Sequence, residues 1–243
     1  EDSLIIKVIV PPNLDTTQKN PAIVFFHGGA WRGGNIDQFE RQAHYFAKKG
    51  LVCFLAEYRV KDWPKTDIAE CIADAKSSIR FLKENAQIFY IDPAKIIAAG
   101  GSAGAHLAAA TAMIAKHNNP NDNLQISPIP AALVLYNPVL DLGPNSYFFN
   151  SLELDSAYQD LSPLHNLNNE VPPTLILLGT KDQYLSVTTA KRYKKISMEL
   201  GVRCDLLLYK NQKHGFFKYF RSSFYYKKTT KDVETFLKSL YYL

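Results

Sequence analysis

Apolar residues occur in short runs along the chain, and longer amphipathic segments separate these runs. The run 22–26 is unbroken, which is typical of a strand buried on both faces of a sheet. Comparable runs predict strands throughout the chain, at residues 4–10, 22–26, 51–58, 95–99, 131–136, 174–178 and 204–209.

The segments between these runs have helical patterns. In the segment 66–85, apolar residues follow a period close to 3.6 residues, at Ile68, Ile72, Ala75, Ile79 and Leu82. We predict helices at 36–49, 66–85, 105–113, 191–200 and 230–242. Buried strands that alternate with helices predict an α/β fold with a mostly parallel central sheet and helices on both faces. Ligands of such sheets bind at the carboxyl ends of the strands.

Composition narrows the class of protein. The chain has 243 residues, of which 47% are hydrophobic and 21% charged, which suits one domain over residues 1–243. The net charge is +5. Basic residues look scattered apart from clusters near 191–195 and 227–228, which we interpret as solvated surface. No nucleic-acid-binding motif accompanies them, so nucleic acid is not an expected partner.

The cysteines and the hydropathy pattern exclude further classes of protein. Cys53, Cys71 and Cys204 are odd in number and widely spaced, so we expect buried thiols and no disulfide framework or zinc site. No other cluster has metal-ligand spacing, and we expect neither a metal nor a cofactor. No apolar stretch reaches the length of a membrane span.

A serine between two predicted elements indicates the chemistry. Ser102 lies in Gly100-Gly101-Ser102-Ala103-Gly104, between the apolar run 95–99 and the small-residue helix at 105–113. A glycine-flanked serine at a sharp strand-to-helix turn has its hydroxyl pushed out of the sheet, as a nucleophile requires. The alternative is a tight turn with an incidental serine.

A serine nucleophile needs a base and a residue that orients the base. Asp182 follows the strand at 174–178, and His214 follows the strand at 204–209. The chain order Ser, Asp, His is the one that this type of fold uses. We therefore predict Ser102, Asp182 and His214 as the catalytic residues. Weaker candidates for the acid, which no comparable strand directly precedes, are Asp141, Asp155 and Asp160.

A glycine-rich loop follows the run 22–26 and contains His27-Gly28-Gly29-Ala30-Trp31. Backbone N–H groups on such a loop, with the N–H after the nucleophile, can stabilise the oxyanion of acyl transfer. We predict Gly29, Ala30 and Ala103 as the donors, with Gly28 as a substitute. His27 is expected to brace the loop. The alternative is a plain glycine turn.

Other histidines and the long segment 137–173 have simpler interpretations. We expect His106 to be a packing or hydrogen-bonding residue, because it lies on the helix side of the serine turn. The remaining histidines have the character of surface or loop residues, namely His44, His117 and His165. The segment 137–173 lacks a regular pattern and is a candidate wall of the substrate cleft.

Together these motifs resemble α/β-hydrolase esterases with a His-Gly-Gly oxyanion loop. Within that superfamily the chain resembles the compact carbohydrate esterases, a group that includes acetyl xylan esterases and bacterial feruloyl esterases. The resemblance covers about residues 20–240 and has two departures. Ala30 and Ala105 stand where relatives often have glycine. The first motif begins near residue 25, so the resemblance implies no large cap domain and an open site.

The resemblance implies a serine esterase that hydrolyses short acyl esters, with acetyl esters of plant polysaccharides such as xylan expected first. Trp31 and Tyr58 follow strands at the same edge and are candidates to stack on a sugar ring, although core aromatics would have the same pattern. Alternatives are a feruloyl esterase, an arylformamidase-like hydrolase, or an inactive hydrolase fold that serves as a binding protein. The expected substrate and the start at Glu1 favour an extracellular or periplasmic protein over a cytoplasmic one, and the oligomeric state stays open.

Overall fold

The computed structural model describes residues 4–60, 67–152, 154 and 156–243. Within these residues one sheet contains β1 (Ile6–Ile9), β2 (Asn20–Phe26), β3 (Val52–Ala56), β4 (Ile91–Gly101), β5 (Ala132–Tyr136), β6 (Thr174–Gly179) and β7 (Cys204–Tyr209). The α-helices are α1 (Glu40–Ala47), α2 (Ile68–Glu84), α3 (Ala103–Met113), α4 (Tyr147–Ser151), α5 (Tyr158–Leu161), α6 (Val187–Glu199) and α7 (Ser223–Ser239). Short 3₁₀ helices occur at Ile36–Phe39 and Pro163–Asn166.

The strands lie in the order β1-β3-β2-β4-β5-β6-β7. Only β1 is antiparallel to its neighbour among the strands of this sheet, and the others form parallel pairs. The register places Phe26 beside Gly100 and Gly101 beside Tyr136. The loops that follow β2, β4, β5, β6 and β7 therefore leave the sheet at the same edge.

Helices pack on both faces of the sheet, as predicted. Alternate side chains of β2 point to opposite faces, with Val24 in one buried cluster and Phe25 in the other. The first cluster contains apolar residues of α2, α3 and α6, and the second contains those of α1 and α7. The predicted α/β-hydrolase architecture, with a mostly parallel sheet between helices, is confirmed.

The predicted elements are present, but some begin or end several residues from the predicted bounds. The strand predicted at 95–99 begins at Ile91, the helix predicted at 191–200 begins at Val187, and the helix predicted at 36–49 is a 3₁₀ turn followed by α1.

The last helix begins at Ser223 and not at 230, because Ser222 caps it by accepting a hydrogen bond from the Tyr225 amide. The hydroxyl of Thr230 donates to the Tyr226 carbonyl, which satisfies a polar side chain inside the helix. The segment 137–173 contains α4, α5 and a 3₁₀ turn, so it is not wholly irregular.

Other expectations concern cysteines and the start of a helix. Cys53, Cys71 and Cys204 are buried free thiols, as predicted. The predicted helix 66–85 corresponds to α2, while Thr66 lies outside the described residues. No helix in the described part of the chain combines the length and hydropathy needed to cross a bilayer.

Candidate active site

Ser102 lies at the sharp turn between β4 and α3. Its backbone angles are φ 57° and ψ −118°, a conformation that residues other than glycine rarely adopt. The Ser102 amide donates a hydrogen bond to the Tyr136 carbonyl at 2.9 Å, which fixes the turn to β5. The strained backbone presents the side chain at the carboxyl edge of the sheet.

Glycines on either side of Ser102 are required by close backbone contacts. A Cβ atom on Gly104 would lie 2.1 Å from the carbonyl oxygen of Phe26, and one on Gly100 would lie 2.3 Å from that of Gly104. No side chain fits at such distances. The turn therefore packs directly against the end of β2, where the His-Gly-Gly loop begins.

The structure brings Ser102, His214 and Asp182 into one chain of hydrogen bonds. His214 Nε2 lies 2.9 Å from Ser102 Oγ, and His214 Nδ1 lies 2.8 Å from Asp182 Oδ2. A carboxylate only accepts hydrogen bonds, so the proton of the neutral imidazole belongs on Nδ1. The Nε2 lone pair then faces the serine hydroxyl, which is the arrangement of a general base beside its nucleophile.

The side chain of Asp182 is fully buried, and both of its carboxylate oxygens accept hydrogen bonds. Oδ2 accepts from His214 and from the side-chain amide of Asn137, while Oδ1 accepts from the Tyr184 and Leu185 amides. Burial opposes ionisation of Asp182. The hydrogen bond and charge of His214, with the two backbone amides, outweigh that effect and hold the Asp182 pKa below its usual range.

Asn137 was not among the predicted site residues. It follows β5 directly, is buried, and has a φ of 46°. Its amide nitrogen donates to Asp182, and its Oδ1 atom has no hydrogen-bond partner within the described residues. Its place after a strand at the ligand-binding edge is the signal that sequence reasoning could have used.

The amides predicted for the oxyanion hole lie beside the nucleophile. Gly29 and Ala30 line the same pocket as Ser102, and Ala103 is the first residue of α3. None of these three amides donates to an acceptor in the described residues, so each is available to a ligand. The Gly28 amide donates to Gln38 Oε1 at 2.6 Å, which removes Gly28 as a substitute donor.

The buried residues His27 and Tyr58 hold the His-Gly-Gly loop in place. The His27 ring stacks on the Tyr58 ring at 4.3 Å, and the Tyr58 hydroxyl donates to the His27 carbonyl at 2.8 Å. Burial lowers the pKa of His27. These contacts agree with a bracing role for His27.

The interpretation of Trp31 and Tyr58 as sugar-stacking residues is wrong. Trp31 is 1% exposed and Tyr58 is fully buried, so neither ring is available to a ligand. Trp31 packs edge-on against His106 at 5.0 Å and Phe148 at 5.2 Å. Both residues follow strands at the correct edge, but their side chains point into the protein.

The other acids and histidines lie outside the triad. Asp160 pairs with Lys116, and Asp141 lies 3.4 Å from His165, while Asp155 falls outside the described residues. His106 is fully buried. Burial lowers the pKa of His106 to about 4, although its Nε2 atom lies 2.7 Å from the Leu161 carbonyl oxygen.

A pocket of about 330 Å³ opens over Ser102. Its apolar wall includes Tyr147, Phe148 and Leu152, so the segment 137–173 forms part of the cleft as predicted. Tyr184 joins this wall and packs edge-on against the His214 ring at 4.6 Å.

The pocket also has a basic side. Arg32 and Lys218 line it, and none of the described lining residues is acidic. The Arg32 guanidinium donates to the Ser151 carbonyl at 2.6 Å. Burial, together with the nearby charge of Arg221, lowers the pKa of Lys218. Across the described residues, no group of three histidine, cysteine or acidic side chains is arranged to hold a metal.

A strained serine at a strand-to-helix turn, linked to a histidine and an aspartate after later strands of a mostly parallel sheet, defines an α/β-hydrolase with a serine triad. The chain belongs to the BD-FAE family, whose model matches residues 8–142. Similar proteins are esterases and carboxylic ester hydrolases, and ester hydrolysis is the activity that their names share.

Solved structures of Thermogutta terrifontis esterase 2 are similar over the whole chain. The apo form is 35% identical, covers 100% of this chain and 91% of its own, and has a TM-score of 0.94. The form phosphonylated by sarin is 34% identical, with a TM-score of 0.94 and coverage of 99% of this chain and 91% of its own.

Curated relatives are longer proteins. Isoprenylcysteine alpha-carbonyl methylesterase ICME of Arabidopsis thaliana is 25% identical over 86% of this chain and 53% of its own length. The probable carboxylic ester hydrolase LipM of Mycobacterium tuberculosis is 26% identical over 75% of this chain and 46% of its own length. The chain thus spans about half the length of these relatives.

Proposed function

We propose that this chain hydrolyses carboxylic esters of short acyl groups through a covalent acyl-enzyme. The observation that carries the proposal is the hydrogen-bonded chain from Asp182 through His214 to Ser102, at the floor of a pocket with unpaired backbone amides. The shared activity of the relatives supports the same reaction.

In the first half of the reaction, Ser102 Oγ attacks the ester carbonyl carbon while His214 Nε2 takes the hydroxyl proton. Asp182 keeps the imidazole oriented and stabilises its positive charge. The carbonyl oxygen becomes an oxyanion. His214 then gives the proton to the departing alcohol, which leaves an acyl group on Ser102.

The backbone amides stabilise the tetrahedral intermediate. Gly29, Ala30 and Ala103 present N–H groups that need no reorganisation when the negative charge develops. In the second half, His214 activates a water molecule, which attacks the acyl carbon. Collapse of the second intermediate releases the acid and returns the proton to Ser102.

The pocket walls support a short acyl group. Tyr147, Phe148 and Tyr184 enclose the side of the pocket, and its volume of about 330 Å³ lies at the small end for ligand sites. Thermogutta terrifontis esterase 2 has been solved with propionate and with butyrate bound. We therefore propose acetyl to butyryl esters, with acetyl as the first choice.

For the alcohol half, we propose an acylated plant oligosaccharide or polysaccharide such as acetylated xylan, in an extracellular or periplasmic setting. The support is the resemblance to compact carbohydrate esterases. The burial of Trp31 and Tyr58 removes the aromatic support for this choice. The names of the plant relatives imply a methyl ester, whose alcohol half is methanol, as a competing substrate. Feruloyl esters and formamides are the other competing substrates.

The test compares acetate release from acetylated xylan and xylo-oligosaccharides with hydrolysis of 4-nitrophenyl acetate, methyl ferulate and N-formylkynurenine. We expect acetate release from the xylan substrates and loss of all activity in Ser102→Ala. Hydrolysis of 4-nitrophenyl acetate alone would support esterase activity and reject acetylated xylan as the substrate. A folded wild-type protein that hydrolyses none of these and resists a fluorophosphonate probe would indicate an inactive hydrolase fold that binds its ligand.

A further inference from the structure

The positive charge of the chain is concentrated in the segment 206–231. This segment contains seven lysines and arginines and no aspartate or glutamate, which leaves 21 basic and 23 acidic residues elsewhere. Lys228 and Lys231 pair with Asp232 and Glu234. The other basic residues of the segment have no acidic partner among the described residues, and these are Lys210, Lys213, Lys218, Arg221 and Lys227.

Three of these unpaired cations lie beside the mouth of the active site. Lys218 lines the pocket that contains Ser102 and His214. Lys213 and Arg221 line a second depression of about 260 Å³, which His214 also borders. The basic side chains therefore occupy one side of the entrance, on the loop that carries the triad histidine.

Two phenylalanines of the same segment are exposed. Phe220 is 77% exposed and Phe224 is 65% exposed. The Lys218 ammonium lies 5.8 Å from the centre of the Phe220 ring, and the Phe224 ring packs edge-on against Tyr225. Apolar area is therefore exposed to solvent in the same segment as the unpaired cations.

Besides the pairs that Lys228 and Lys231 form, acidic residues also lie near one edge of this segment. Asp37 and Glu40 line a groove of about 480 Å³ together with Lys218 and Phe220. Asp37 is already paired with Lys7 at 2.5 Å. The other unpaired cations lie outside the lining of that groove, so the charge around them is not neutralised there.

We propose that residues 210–228 form a docking surface for an anionic lipid bilayer, which places one side of the active-site entrance next to the membrane. Lysine and arginine side chains are attracted to anionic headgroups, while exposed phenylalanine rings bury apolar area at the headgroup boundary. Together these residues match the basic and aromatic composition of segments that bind membrane surfaces, and the chain has no nucleic-acid-binding motif. Docking does not depend on hydrolysis, so Ser102→Ala is expected to bind equally well.

The test is co-sedimentation with vesicles of phosphatidylcholine, alone or with about a third of it replaced by phosphatidylglycerol. We expect binding to the anionic vesicles at least about tenfold tighter than to the neutral ones, and weakening as salt rises. The double variant Lys213→Glu/Arg221→Glu should lose about tenfold or more of this affinity, since each basic residue contributes about fivefold. Phe220→Ser/Phe224→Ser should also weaken binding. Its remaining binding should depend on salt more strongly than that of the charge-reversal variant, because the basic residues are still present.

The matched control is Lys191→Glu/Arg192→Glu, an equal charge change at exposed positions of α6, which should bind like wild type. Circular dichroism is used to check that each variant is folded. Failure of wild type to bind anionic vesicles would overturn the proposal, as would equal losses in the control. Retention on DNA or polygalacturonate without vesicle binding would overturn it in favour of a different polyanion.

Discussion

The side-chain amide of Asn137 donates a hydrogen bond to Asp182 Oδ2, the same oxygen that accepts from His214 Nδ1. Asp182 therefore meets its histidine through an oxygen whose position is fixed from a second direction. Asn137 is held in turn, because its backbone amide donates to the Leu177 carbonyl at 2.9 Å. The relationship makes Asn137 a positioning residue that acts on the triad through Asp182.

Loss of this contact should slow turnover more than it weakens substrate binding. A hydrogen bond to a charged group contributes about 1.5–3 kcal/mol, so we expect Asn137→Ala to lower kcat by about ten- to a hundredfold with little change in KM. Steady-state kinetics on 4-nitrophenyl acetate measure both constants. The exposed Asn169→Ala serves as the control. An unchanged kcat, or a rise in KM alone, would show that Asn137 does not position Asp182 for catalysis.

The depressed pKa of Asp182 predicts a specific dependence of stability on pH. Its folded pKa lies below the unfolded value of about 3.9, so the ionised carboxylate stabilises the fold above about pH 4. That contribution is lost as the pH falls through the folded pKa. The difference in unfolding free energy between wild type and Asp182→Asn should thus narrow from pH 7 to pH 3, as measured by urea denaturation. A constant difference, or an equal change in Glu170→Gln at an exposed position, would contradict this assignment.

The buried hydroxyl of Tyr58 should matter for stability and not for sugar recognition. Tyr58→Phe leaves the His27 carbonyl without its donor, which should lower the free energy of unfolding by about 1–2 kcal/mol. The ratio of KM values for an acetylated xylo-oligosaccharide and 4-nitrophenyl acetate should stay the same. Tyr241→Phe, at a 91% exposed ring, should change neither quantity. A selective rise in KM for the oligosaccharide would indicate that Tyr58 contacts the substrate.

The aromatic wall predicts the limit on acyl length. Tyr147 lines the pocket and packs edge-on against Tyr184 at 4.7 Å, so its removal opens space beside the acyl group. Tyr147→Ala should raise the ratio of kcat/KM for 4-nitrophenyl hexanoate over the acetate by about tenfold, which corresponds to space for about one further methylene at about 1–3 kcal/mol. Tyr241→Ala is the control. An unchanged ratio would mean that another surface limits acyl length.

Much of the fold follows from local pattern. Unbroken apolar runs such as 22–26 are typical of a strand covered on both faces, and the glycines around Ser102 are typical of a close strand-to-helix packing. The positions of Ser102, Asp182 and His214 after β4, β6 and β7 place them at one edge of the sheet without any knowledge of distances. These features are predictable because each depends on a few neighbouring residues.

Other features depend on contacts between distant parts of the chain. The place of Asn137 after β5 indicates the ligand-binding edge, but its role depends on a partner that lies 45 residues away. The direction of the Trp31 ring depends on the left-handed φ of 59° at that position and on packing against His106 and Phe148. Strand position alone gives the correct edge of the sheet for such a residue, but not which way its side chain points.

The central claim is that Ser102 forms a covalent acyl-enzyme, and a fluorophosphonate probe followed by intact-mass and peptide analysis tests it most directly. We predict one adduct on Ser102, with hydrolysis of 4-nitrophenyl acetate lost in proportion to labelling. Folded Ser102→Ala should be unlabelled and at least about a thousandfold less active, while the control Ser239→Ala should behave like wild type. An adduct on a different residue, or full esterase activity in folded Ser102→Ala, would contradict the account.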